Sequence, residues 1–219
     1  MNTNVRTQNQ SIVINGVLRN TYQLLSATLL FSGLMAYLSM SLNLPHFGLL
    51  LTLVGYFGLL FLVNKLKNSA AGILAVFALT GFMGLTLGPI IGAYTSAFSN
   101  GADLVAMAMT GTGLIFLTLS FYAITSGKDF SFMSGFLTAG IIVAFLAGIA
   151  AYFFAMPALS LAVSAAFILL MSGLILFETS NIIHGGETNY IMATVTLFLS
   201  IYNLFLSLLQ ILGVFSGED

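Results

Sequence analysis

The side chains able to do chemistry are few, and they gather between Phe177 and Gln210. Glu178 is the one acid that sits well inside an apolar run. Further on come Thr196, Ser200, Asn203, Ser207 and Gln210, at intervals of 4, 3, 4 and 3 residues. That rhythm follows the helical repeat, so the five share one helical face. An ionisable group or a polar stripe in lipid is costly unless it faces protein or water. Glu178 with Ser200 and Asn203 is therefore a candidate proton or cation site, with the polar face of the last helix as its lining. A Glu178 that snorkels to the membrane surface is the alternative reading.

Other groups carry less. His184 and Glu187 flank a Gly185-Gly186 turn, but one His and one Glu are too few to hold a metal, and a solvated turn is expected. His46 stands beside Pro45 with no partner in sequence, and Asp129 adjoins Lys128 in a polar break. The chain has no cysteine, which excludes thiolate chemistry and disulfides. It shows no His-Glu-x-x-His, Gly-x-Ser-x-Gly or Walker pattern, and its apolar runs hold neither an acid pair nor a lysine. An enzyme, a small-molecule substrate and a resident metal are not expected. The net charge of −1, without a basic patch, points away from nucleic acid.

The elements that position these residues follow from composition. Of 219 residues, 59% are hydrophobic and 5% charged, whereas a soluble domain carries ~25% charged residues. Such a chain belongs in a bilayer. Seven apolar segments reach spanning length, near 22–43, 47–64, 70–95, 103–125, 131–155, 158–183 and 190–214. The expected fold is all-α: seven transmembrane helices in one bundle covering 22–215. A flexible tail over 1–21 precedes it and a short tail over 216–219 follows. No removable signal peptide is expected. All five basic residues (Arg6, Arg19, Lys65, Lys67 and Lys128) fall on one side of this scheme. Short positive loops stay in the cytoplasm, which puts the N-terminus inside and the C-terminus outside, in the periplasm of a bacterial inner membrane. In the third segment Gly84, Gly88 and Gly92 recur every four residues, a smooth face for close helix packing. Pro89 removes one backbone hydrogen bond there, so a kink or hinge is expected.

Phe177-Glu178-Thr179 and Leu197-Phe198-Leu199-Ser200-Ile201-Tyr202-Asn203-Leu204-Phe205 resemble the Bax inhibitor (TMBIM) family, and the likeness extends over nearly the whole chain. The resemblance implies seven helices with one central helix surrounded by the others. Many members leak Ca²⁺ under pH control through two acids that share a proton. The matching positions here are Glu178 and Ser200, so the second acid is absent and Ca²⁺ is an expectation of the family alone. The chain looks closest to a bacterial branch that binds the FtsH membrane protease. That likeness implies a partner protease whose degradation of membrane proteins the chain limits.

Overall fold

No water reaches the backbone inside a bilayer, so each span has to close its own hydrogen bonds, and helices do this within one segment. The computed structural model describes residues 2–217 and, within the first helix, side chains from Ile14 onward. Among these residues it is all helical. The order is α1 (Asn2–Ser41), α2 (Gly48–Leu66), α3 (Ala70–Ala97) and α4 (Gly101–Ser126). A single 3₁₀ turn (Ser131–Met133) then leads into α5 (Ser134–Phe153), followed by α6 (Pro157–Ile183) and α7 (Tyr190–Ser216). All seven α-helices contain a window long and apolar enough to cross a membrane. The boundaries have local causes. Pro157 opens α6, where its missing N–H would be unpaired anyway. Gly127 ends α4 with φ +58°, a left-handed conformation that glycine adopts without strain.

The first span departs from its expected limits. Instead of starting near residue 22, the helix begins at Asn2, and its membrane-length stretch among the described side chains is Ile14–Ser41. Gly16 is the one strongly helix-weakening residue ahead of Tyr22, and no proline interrupts the run. Extending a formed helix costs far less than nucleating one. Met1 and the side chains of 2–13, most of the expected tail, lie outside the described residues. At the other end α7 continues to Ser216, and Glu218 and Asp219 lie outside the described residues.

The chain divides into two units. One comprises Met1–Ser96 with Gly185–Phe198, the other Ala97–His184 with Leu199–Asp219. In the first unit α1 packs on α3 through glycine. A side chain on Gly84 would collide with the Ser32 carbonyl oxygen, and a Cβ on Gly88 would lie 2.6 Å from Ser39 Cβ and 2.7 Å from the Ala36 carbonyl oxygen. Gly92 differs, since its Cβ would make only an ordinary 3.8 Å contact with Met40. Two of the three expected glycines are thus obligatory and the third is not. Close backbone approach of this kind is the usual basis of helix association in lipid, where apolar burial drives little.

That approach also explains how α3 passes through Pro89 as one continuous helix. Proline has no N–H to give the carbonyl four residues back, which is Leu85. The fully buried Ser39 of α1 donates its hydroxyl to the Leu85 oxygen at 2.7 Å instead. The absent side chain of Gly88 leaves room for Ser39 to reach it.

Two outcomes follow from this packing. Gly84→Ala and Gly88→Ala are expected to destabilise the protein in detergent by about 1–3 kcal/mol through overpacking, read as lowered Tm. Gly33→Ala, whose Cβ meets nothing within 4 Å, serves as the neutral control. Ser39→Ala, which orphans a buried carbonyl, is expected to cost about 1–3 kcal/mol. Pro89→Ala restores an N–H to Leu85 and should recover most of that loss in the double variant. Additive losses would show that the Ser39 bond does not stand in for the proline.

Candidate functional site

In the second unit, α6 and the C-terminal part of α7 carry the residues singled out above. Glu178 lies five residues before the end of α6, about 7.5 Å of helix at 1.5 Å per residue. It is nonetheless only 5% exposed. The carboxylate is therefore buried in protein and does not snorkel outward. Ser200 is fully buried and Ser207 nearly so, while Asn203 and Gln210 are half-buried. Thr196, also half-buried, falls in the part of α7 that belongs to the first unit. The polar face of α7 thus points largely inward, as its spacing requires.

These side chains do different things. Gln210 joins helices: its Oε1 accepts from Ser164 Oγ at 2.7 Å, and its Nε2 donates to Ser160 Oγ at 2.6 Å. Ser160 and Ser164 sit one turn apart on α6, so one amide spans two rungs of its partner helix. Asn203 turns to its own helix, its Nδ2 donating to the Leu199 carbonyl at 2.8 Å. That amide proton is spent locally. Gly84, Gly88, Pro89 and Gly92 belong to the α1–α3 packing of the first unit, apart from these residues.

The structure adds polar clusters that the sequence reading passed over. In the second unit, Ser180 donates its hydroxyl to the Lys128 carbonyl at 2.9 Å and accepts the Phe130 N–H at 3.1 Å. His184 closes α6, with Nδ1 at 2.8 Å from the Ser180 carbonyl oxygen and Nε2 at 3.2 Å from the Gly127 oxygen. It is bonded to the α4–α5 loop, and its side chain stays exposed, as expected of a solvated turn. The available signal was Ser180 and His184 at i and i+4 on the last turn of a helix. Asp129 in the same loop accepts the Ser131 N–H at 2.8 Å. That bond, then the Ser131 hydroxyl and the nearby His184, hold its carboxyl below the usual carboxylate range. Lys128 does not close on its neighbour Asp129; its Nζ donates to the Tyr122 hydroxyl at 3.1 Å.

The first unit has a comparable device. Asn189 caps α7, its Oδ1 accepting from Ile191 and Met192 N–H at 3.1 Å each. Its Nδ2 donates to the Lys67 carbonyl at 3.0 Å and to Asn68 Oδ1 at 2.9 Å, tying down the α2–α3 loop.

Gln210→Leu removes both interhelical bonds and leaves Ser160 and Ser164 without them. The expected loss is about 1–2 kcal/mol, within the range for interhelical polar contacts in membranes. Denaturant titration in micelles checks it, and the loss should be smaller in a Ser160→Ala, Ser164→Ala background.

Comparison with known proteins places this geometry. Residues 14–217 match the family described as inhibitor of apoptosis-promoting Bax1. A relative from Escherichia coli strain K12, named modulator of FtsH protease YccA, is 56% identical over 203 residues, covering 93% of this chain and 91% of its own. Its counterpart in Escherichia coli O6:H1, with the same identity and coverage, is named inner membrane protein YccA. An uncharacterized membrane protein of Vibrio cholerae is 43% identical over 224 residues and the full length of both chains. With seven membrane-length helices and such relatives, this is a multi-pass protein of the inner membrane. The chain belongs to the Bax inhibitor family.

Proposed function

We propose that this protein binds an FtsH-type membrane-anchored, ATP-dependent protease and limits its degradation of other membrane proteins, acting by association and not by catalysis. The observation that carries the reading is the 56% identity over 203 residues to a protein named modulator of that protease. Physical features are in keeping with it. Small-residue packing in the first unit and the Gln210 bonds in the second make each resistant to extraction from the bilayer. The charge pattern puts residues 1–21 and the Lys65, Lys67 and Lys128 loops in the cytoplasm, where a protease motor would meet them. In this reading the N-terminal segment is the grip from which the enzyme pulls, and the slow release of the spans occupies it.

Three expected outcomes test the proposal. Co-reconstituted in liposomes with such a protease and a model membrane substrate, the protein should co-purify with the enzyme and slow substrate breakdown in proportion to its concentration. Failure to associate sinks the reading. Deleting residues 2–10 should leave the thermal melt unchanged and lengthen the lifetime of the protein itself. Unchanged turnover would remove the grip while leaving the association standing. Glu178→Gln separates structure from function: it should leave the association intact, whereas loss of folding and association together would make Glu178 a structural residue.

A further inference from the structure

At the end of α6, His184 presents both ring nitrogens to backbone carbonyl oxygens. Nδ1 lies 2.8 Å from Ser180 O, and Nε2 lies 3.2 Å from Gly127 O. Carbonyl oxygens only accept, and a neutral imidazole has one N–H, while an imidazolium has two. The Ser180 hydroxyl, 3.3 Å from Nδ1, offers no way out, because its one proton goes to the Lys128 carbonyl at 2.9 Å. Even if that proton turned to Nδ1, the ring lone pair would still face Ser180 O at 2.8 Å. Only the doubly protonated ring satisfies both contacts.

We propose that His184 is a proton-operated latch. Charged, it ties the α4–α5 loop at Gly127 to the C-terminal turn of α6, and on losing a proton it lets the loop go. The shorter Nδ1 contact keeps the remaining proton, so the bond to Gly127 is the one that breaks. The Nε2 lone pair then faces the Gly127 oxygen.

Few charged groups surround the latch. A helix C-terminus carries partial negative charge, and His184 caps α6. Asp129 in the facing loop is a carboxylate within electrostatic reach of the ring. The loop cation, Lys128, is turned away onto the Tyr122 hydroxyl and lies over that ring at 5.7 Å. On α6 itself the nearest ionisable group is the buried Glu178, six residues earlier. The 3₁₀ turn and α5, which follow the loop, carry no ionisable side chain before Tyr152 at the far end. Beyond the latch, the Glu187 carboxylate accepts the Asn189 N–H at 2.6 Å. Imidazole changes charge between pH 5 and 8. The bond to Gly127 needs the second ring proton, so it is present while the ring is charged and lost when the ring is neutral.

Releasing Gly127 loosens a short segment that includes Phe130, whose N–H is held by Ser180, and Phe132, which is 79% exposed. On the functional reading above, this loop is on the side of the protease motor, and proton control of it regulates what the partner meets. The latch itself rests on geometry alone and stands if that reading falls.

The chain holds two histidines, His46 and His184, so ¹⁵N-histidine labelling yields two rings, and His46→Gln assigns them. In lipid nanodiscs from pH 5 to 8, the ring shifts of His184 report its protons. Exchange of the Phe130 amide, normalised to the free-peptide rate, reports the loop. The expected result is a doubly protonated ring at the acid end. As it becomes the neutral Nδ1–H form, normalised exchange at Phe130 should accelerate about tenfold, the scale of one charge-assisted bond. His184→Gln should abolish this pH dependence. If that variant fails to fold, the native chain alone decides. Full Phe130 protection with a singly protonated ring, or protection unchanged while the ring titrates, overturns the latch.

Discussion

A backbone carbonyl that loses its donor inside a bilayer has no water to turn to. Pro89 creates that situation at Leu85, and Ser39 of α1 resolves it. The rest of the first unit depends on this bond being possible. It requires α1 to lie close enough on α3 for a serine to reach, which requires the missing side chains of Gly84 and Gly88. Gly and Pro are poor helix residues in isolation, but here each removes an obstacle that the other's presence raises.

The same economy runs through the second unit. With only 5% of residues charged, long-range electrostatics has little to work with. Orientation comes from single neutral groups: the Gln210 amide across Ser160 and Ser164, and the Ser180 hydroxyl between Lys128 and Phe130. In lipid such bonds are modest individually. Their value lies in register, because an amide spanning two serines one turn apart fits one rotation of each helix and no other.

Glu178 stands out against this background. It is a buried acid near the end of a span, and Ser200, the α7 residue read beside it from the sequence, is fully buried. Two neighbouring carboxylates would couple their protons; a carboxylate and a hydroxyl have no such coupling. Further along the same helix, where the α4–α5 loop meets its end, His184 is another titratable group with polar contacts.

Much of this was legible in the chain itself. Composition dictated a membrane protein, because 59% hydrophobic residues cannot be hidden in a water-soluble domain of this size. The seven spans were visible because spanning length is a property of contiguous residues, and the inward polar face of α7 because a helical repeat is too. The start of α1 was not, since the polar segment before it has weak helix formers but no breaker, and whether such a run stays helical depends on the span it extends. Tertiary structure alone decided which serine answers Pro89, which of three glycines are obligatory, and which loop carbonyl the exposed His184 meets. Each of these depends on partners 46 to 57 residues away in sequence. Spacing along one helix says which face a residue occupies, but only the packing of another helix or loop against that face says what it meets.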